Sequence, residues 1–314
     1  MNLISSFLPT RSLLSPNADT GIVVLRKLRA IPNPTYPNPV MARWGVLLVC
    51  CLLIISSRAE PVIVANDPFT DGDFASASGL DPLGLVWFQN KQALKIVNGE
   101  ESLNDGGALH FNPTVDFGTL TTHFPVVPLV SADDTLIVAF DYMLPVGLPK
   151  AGSGLRMGVY DSRSTLRTSD VETAAGNDDV GYGLSSNAGG GGERDTQCFR
   201  EGPGNAVLGG PEPAQIVGGG TRGPCLPADG NKHHLRLIVK KTSDGGLEIS
   251  CNVDDLVLTT MMESPGSLLT SQFDGFALGF GGVGNLGAIT IDNFNVSAST
   301  QQPLTSMLPK APPA

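Results

Sequence analysis

The sequence predicts an all-β protein, an antiparallel two-sheet β-sandwich or jelly roll. Three observations carry that prediction. Gly (38) and Pro (24) together make up roughly one in five of the 314 residues. That is too many for a helical chain, because both are costly inside helices, and too few for low-complexity disorder. Apolar and polar residues alternate with a period of two along six segments, the pattern of strands that bury one face. Clusters of turn residues punctuate them: Asn104-Asp105-Gly106-Gly107, Asp229-Gly230-Asn231, Asp244-Gly245-Gly246 and Gly281-Gly282.

In chain order, residues 1–40 carry Arg11, Arg26, Lys27 and Arg29 and then Pro32, Pro34, Pro37 and Pro39. They read as an untranslated stretch, with translation starting at Met41, or as a disordered extension. Residues 41–59 have the layout of a signal peptide. Arg43 supplies the basic start, the 12 residues Trp44–Ile55 the apolar run, and Ser57 and Ala59 the small residues before a cut at Glu60. That run is too short to span a bilayer comfortably. The expectation is a secreted or cell-envelope protein with no membrane span once the signal is removed.

Residues 60–298 are expected to form one domain. Strand signals dominate from residue 83 onward. Leu136, Val138, Phe140 and Tyr142 alternate with polar or small neighbours, as do Leu155, Met157 and Val159, and Leu235, Leu237 and Val239. The same holds for Leu247, Ile249, Cys251 and Val253, for Phe276, Leu278 and Phe280, and for Ile289 and Ile291. The best helical candidates are short, near 170–175 and 267–271. Residues 187–224 form a long glycine-rich stretch, and such loops are often functional or disordered. Residues 299–314, with Pro303, Pro309, Pro312 and Pro313, read as a disordered tail.

The formal charge of −10 argues against a nucleic-acid partner, which needs a basic footprint. Residues 60–314 alone hold 14 Lys+Arg against 29 Asp+Glu. Three of the five cysteines lie there. Cys198 and Cys225 flank a Gly/Pro-rich loop that a disulfide would staple. Cys251 lies on the apolar side of a strand and is expected to be a buried free thiol. Trp87 and Tyr182 are expected in the core.

A family resemblance rests on three stretches. The opening Asn66-Asp67-Pro68-Phe69-Thr70-Asp71-Gly72-Asp73 with Trp87-Phe88, the hairpin Gly230–Val239 followed by Gly245–Asp254, and the closing Ile289–Val296 together resemble secreted concanavalin A-like (laminin G-like) jelly rolls. The resemblance covers about residues 66–298. It implies two curved antiparallel sheets, one face of which often meets carbohydrate. The fold also hosts enzymes and purely structural modules, so it does not settle function.

Candidate chemistry follows from the residues. Glycosidases need two carboxyls flanking the bond, and the Glu-x-Asp-x-x-Glu string of this fold's glycosidases is absent. The nearest acid clusters, Asp178/Asp179 and Glu193/Asp195, sit beside loops and read as solvated charge. The segment Leu155–Ser162 is similar to the alginate-lyase strand, which implies Tyr160 as acid/base and Arg156 as neutraliser of a uronate carboxylate. The companion Arg-x-Glu-x-Arg and Gln-x-His strands of that family are absent. Sugar binding without catalysis needs less: an aromatic to stack and polar groups for hydroxyls. Arg156, Tyr160, Arg194 and Arg200 are the candidates, with a polysaccharide or cell-surface glycan as partner. The plainer reading of each Arg is a solvated or ion-paired side chain. Asp71, Asp73 and Asp292 are candidate ligands for a structural Ca²⁺ where the first and last strands meet, against the simpler reading of Asp71-Gly72 as an Asx-turn. His233 and His234 open a strand and read as structural groups bonding a turn. Three functions remain open: a glycan-binding module, a polysaccharide lyase, and a structural envelope module.

Overall fold

The computed structural model describes residues 60–301 with internal exceptions: 70–84, 90–93, 98–102, 104–106, 113–117, 147–153, 164, 167–177, 188–195, 204–207, 209–220 and 282–287. The predicted helix near 170–175, the whole of 1–59, Asp71, Asp73, Glu193, Arg194 and Asp195 lie outside the described residues.

Fourteen strands are described: β1 (Val62–Asp67), β2 (Trp87–Gln89), β3 (Leu94–Val97), β4 (Ala108–Phe111), β5 (Gly118–Pro128), β6 (Thr135–Met143) and β7 (Gly154–Asp161), then β8 (Val180–Asn187), β9 (Gln197–Glu201), β10 (Lys232–Lys241), β11 (Leu247–Val253), β12 (Leu256–Glu263), β13 (Gln272–Gly281) and β14 (Ile289–Ser299). All the pairings are antiparallel, in two sheets, as predicted. One sheet runs β12-β11-β10-β6-β14-β4-β3, with β1 also on β14; the other runs β2-β5-β13-β7-β8-β9. The first half of β14 pairs with β4 and the second half with β1, Val62 facing Ala298.

Each long strand turns its alternate apolar residues inward. From β6 these are Leu136, Val138, Phe140 and Tyr142; from β10, Leu235, Leu237 and Val239; from β7, Leu155, Met157 and Val159. The centre is aromatic. Trp87 packs edge-on against Phe294 at 4.8 Å and Phe276 at 6.4 Å. Its indole N–H donates to Asp67 Oδ2 at 2.8 Å, which supplies the partner a buried indole needs. Tyr182 is buried as expected, its hydroxyl accepting from the Leu269 N–H at 2.8 Å. The β11–β12 hairpin turns on Asp254 and Asp255, both at positive φ (48° and 68°), as a two-residue type I′ loop demands.

A strap at 221–226 joins the outermost strands of the two sheets. Thr196 and Gly223 exchange both backbone hydrogen bonds at 2.9 Å. Thr196 Oγ1 donates to the Pro224 carbonyl at 2.7 Å and shares a 2.8 Å bond with Ser186 Oγ, which in turn accepts from the Leu226 N–H at 3.1 Å. On the other side the Thr221 N–H donates to the Thr260 carbonyl at 3.0 Å. A Cβ on Gly223 would lie 1.7 Å from the Leu258 carbonyl oxygen, so the crossing needs glycine.

Several expectations are corrected. The predicted Cys198–Cys225 disulfide is absent: none of Cys198, Cys225 and Cys251 is in a disulfide. Cys198 points inward from β9, and its thiol lies 3.6 Å from the Ile249 carbonyl of the opposite sheet. Hydrogen bonds of the strap do the stapling instead. Burial pushes the Cys198 thiol up to about 12, which keeps it protonated. Cys251 is a buried free thiol, as expected. A strand, β1, precedes residue 83. Residues 267–271 form no helix; a single 3-10 turn ends there at Ser267. The fold also runs past 298: Ser299 ends β14, and the Gln301 N–H donates to Asp134 Oδ1 at 2.9 Å.

Candidate functional site

Strand alternation decides which side chains meet on the outer face of the six-stranded sheet. Leu155, Met157 and Val159 of β7 enter the core, so Arg156, Gly158 and Tyr160 face outward. In register beside them stand Gly279, Ala277 and Gly275 of β13 and Ser185, Gly183 and Gly181 of β8. This floor is small enough for aromatic rings to lie down on it. A Cβ on Gly158 or Gly181 would come within 2.9 or 2.8 Å of the Tyr160 ring, and one on Gly183 within 2.8 Å of the Phe199 ring.

Lying flat, Tyr160 reaches across β8 to β9 and donates its hydroxyl proton to Glu201 Oε2 at 2.7 Å. Tyr160 is 2% exposed and Glu201 4%. Glu201 Oε2 also accepts from the Leu208 N–H at 3.2 Å, and Arg156 Nη1 donates to the Leu208 carbonyl at 3.1 Å. Leu208 closes a small apolar cluster with Tyr160, Phe199 and Ala277. Glu201 Oε1 is buried with no hydrogen-bond partner. Burial pushes the Glu201 carboxyl up to about 7, although Tyr160, Leu208 and Arg156 all pull it down. Burial, followed by the charge and hydrogen bond of Glu201, pushes the Tyr160 hydroxyl well above its ordinary value.

On the other side of the Tyr160 ring lies a shallow hollow open to solvent. It is floored by Thr121, Gly275 and Ala277 and edged by His123, Tyr160, Asp179 and Ser162. A bulge between β5 and β13, where the register slips between Phe273 and Gly275, shapes one end. There Asp274 accepts from the Ser162 N–H at 2.8 Å and the Ser162 hydroxyl at 2.7 Å, fixing the edge of the hollow. The hollow is far smaller than an ordinary small-molecule pocket and offers a ligand a surface rather than an enclosure.

The sequence-predicted residues divide. Arg156 and Tyr160 share this face. Arg200 does not: it alternates with Phe199 and Glu201 on β9 and turns to the opposite side, where Nη1 meets Glu263 Oε1 of β12 at 2.9 Å. Asp292 is buried, its Oδ1 accepting from the Asn293 N–H at 2.6 Å. Among the described residues no group of three or more His, Cys, Asp or Glu is arranged to hold a metal ion. Asp178 is a loop acid that accepts from the Thr165 hydroxyl at 3.1 Å, whereas Asp179 is buried at the hollow. His233 bonds a turn, as expected. Its Nδ1 lies 2.6 Å from Asp254 Oδ2 and its Nε2 3.0 Å from Asp229 Oδ1. Burial lowers its pKa, but the two aspartates outweigh that and raise it above 6.5.

Sequence reasoning missed His123, Glu201 and Leu208. Glu201 carried a readable signal. In Gln197-Cys198-Phe199-Arg200-Glu201 the alternation sets Cys198 and Arg200 on one face and Phe199 and Glu201 on the other.

No family model and no curated protein matches the chain. Among solved structures it is similar to a galectin-like-fold protein from Bacillus subtilis (TM-score 0.46, 14% identity, 77% of this chain and 100% of that one). It is also similar to peanut lectin (TM-score 0.41, 12% identity, 76% and 98%) and to alginate lyase Aly36B (TM-score 0.42, 10% identity, 76% and 98%). At these identities and TM-scores no residue's role carries over to this chain.

Proposed function

We propose that the protein is a secreted β-sandwich module that binds polysaccharide, or a cell-surface glycan, on the outer face of its six-stranded sheet, without catalysis. The hollow beside Tyr160 carries this reading. It joins the edge of Tyr160 and the small-residue floor to the imidazole of His123 and the carboxyl of Asp179, a patch of apolar surface beside groups that can bond hydroxyls. The acidic chain disfavours a polyanionic glycan, because the long-range field opposes it.

The lyase reading stands second. A lyase needs Tyr160 as a ready proton acceptor, and the burial and carboxylate neighbour of Tyr160 favour its protonated form. The Arg156 that would neutralise a uronate is engaged with the Leu208 carbonyl.

The test is native electrophoresis through gels cast with a panel of neutral and acidic polysaccharides, followed by staining for protein and glycan. The wild-type band should be retarded by intact glycan. His123→Ala and Tyr160→Ala should lose most of that retardation, and a circular dichroism spectrum like the wild type's should show that each still folds. A cleared zone in the glycan would make the protein an enzyme. Free migration in every gel would overturn the binding reading in favour of a structural module.

A further inference from the structure

Four residues that carry hydroxyl groups line the hollow: Thr121, Thr122, Tyr160 and Ser162. Three of them have committed their protons elsewhere. Thr122 Oγ1 donates to the Val86 carbonyl at 2.9 Å, Tyr160 to Glu201 Oε2 at 2.7 Å, and Ser162 Oγ to Asp274 Oδ2 at 2.7 Å. A hydroxyl whose proton is already given can only accept. Thr121 is the exception. It is 5% exposed, stands opposite Ala277 on the floor, and its Oγ1 is buried with no hydrogen-bond partner. A buried hydroxyl left in that state is unfavourable in a finished structure, and a bound group would satisfy it. Asp179, 8% exposed, adds a carboxyl at the edge. Behind the lining, the hydrogen bonds to Asp274 and Glu201 come from neutral donors: the Ser162 N–H and hydroxyl for one, the Tyr160 hydroxyl and the Leu208 N–H for the other. His123 at the rim accepts through one ring nitrogen when neutral.

From this geometry we infer that the hollow is an ammonium site, and that the glycan it recognises carries a primary amine on its ring, as a glucosamine polymer does. The inference rests on the carbohydrate reading above and names its substrate class. An ammonium has three donors and no acceptor, which matches a lining of acceptors. A sugar hydroxyl has lone pairs to place as well, and a uronate carboxylate offers acceptors alone. At its deepest the hollow has room for one group about the size of a water molecule. An ammonium is that size and an acetamide is not. The bound amine donates to Asp179 and to Thr121 Oγ1, while the sugar ring rests on Gly275 and Ala277 against the edge of Tyr160. Carboxylates around the amine favour its charged form. The charge of the whole domain agrees, because 29 Asp+Glu against 14 Lys+Arg in residues 60–314 draw a polycation.

The test is isothermal titration calorimetry of the protein, in neutral low-salt buffer, with three β-1,4-linked hexasaccharides that differ only at C2. The glucosamine hexamer carries the amine there, cellohexaose a hydroxyl and the N-acetylglucosamine hexamer an acetamide. Spermidine supplies ammonium groups without a ring. Three variants accompany the wild type. Asp179→Asn removes the charge at the hollow, and Thr121→Val removes the unsatisfied hydroxyl. Asp255→Asn removes an equal charge from an exposed turn of the other sheet. Thermal melts followed by circular dichroism check that each variant is folded.

The wild type should bind the glucosamine hexamer about tenfold more tightly than cellohexaose, the gain expected of one charge-assisted hydrogen bond. Asp179→Asn should lose most of that preference, Thr121→Val a few-fold of it, and Asp255→Asn none. Equal or tighter binding of cellohexaose or of the N-acetylated hexamer by the wild type would overturn the ammonium site and leave the carbohydrate reading intact. A preference that Asp179→Asn leaves untouched, or that Asp255→Asn reduces as much, would place the amine outside the hollow and overturn it as well. Spermidine held as tightly as the glucosamine hexamer would overturn it too, since the ring would then add nothing. Binding of none of the hexamers would overturn the ammonium site, and joined to free migration in every glycan gel it would overturn the carbohydrate reading with it.

Discussion

The Glu201 carboxyl sits at about 7 because burial outweighs three groups that favour its charged form. In the unfolded chain it returns to its ordinary 4.5. The folded state therefore binds this proton more tightly, and the stability linked to it is fully present below about pH 4.5 and lost as pH rises through about 7. The difference between the two values corresponds to roughly 3 kcal/mol. Urea unfolding of the wild type should show stability falling over that window, and Glu201→Gln should remove most of the fall. Parallel pH profiles for the two proteins would show that the carboxyl ionises freely. Arg200 is the opposite case, a charge that holds the fold and leaves the ligand alone. Its partner Glu263 has a side chain 0% exposed. Arg200→Ala strands a carboxylate in the interior, at a cost of about 3 kcal/mol. A lower melting temperature is expected, with glycan retention unchanged while the protein stays folded. Lost retention at unchanged stability would return Arg200 to the binding face.

At the scale of elements, the strap across the sandwich edge depends on one hydroxyl. Thr196 Oγ1 is bonded both to the Pro224 carbonyl and to Ser186. Thr196→Val keeps the shape and leaves those buried groups short of a partner, which costs about 1–3 kcal/mol. Proteolysis should then nick the chain near 221–226 before the rest unfolds; global unfolding with no early cut would show that the strap has no separate stability. The strands legible from sequence, β6, β7, β10, β11, β13 and β14, each turn one face to the core and show it as alternation. β9 and β12 did not declare themselves. Phe199 is apolar yet faces away from the core, under Leu208, and Arg200 is charged yet shares a face with the inward Cys198, so both faces of β9 mix apolar and polar residues. On β12, Leu256 and Val257 are adjacent and both exposed, which breaks the period. The Tyr160 half of the site was readable from its strand. Its partner Glu201 lies 41 residues on, across an intervening strand, and nothing local in a sequence encodes such a pairing. The disulfide expectation failed for a related reason: loop spacing says that two cysteines flank a segment but not which way a strand turns them.

At the scale of the molecule, the two sheets meet through Phe69, Trp87, Phe140, Phe276 and Phe294, and β1 secures that cluster from the outside. Asp67 of β1 accepts a hydrogen bond from the Trp87 indole N–H at 2.8 Å, and β1 covers the second half of β14. Deleting residues 60–67 leaves a buried indole N–H without its acceptor and uncovers a strand edge. Loss of the near-ultraviolet circular dichroism and of a single cooperative unfolding transition is expected. A truncated protein that kept both would show β1 to be dispensable.

The pairing of Val62 with Ala298 also sets a timetable. A chain is made from its N-terminus, so β1 exists long before the strand it must join. Until β14 arrives, the middle of the eight-stranded sheet is a gap, with β6 on one side and β1 and β4 waiting on the other. Contacts between such distant parts of a chain form slowly, so the protein passes a long interval in which β6 and β4 each keep one open edge and β1 has no strand to pair with. Those open edges close only when β14 is made.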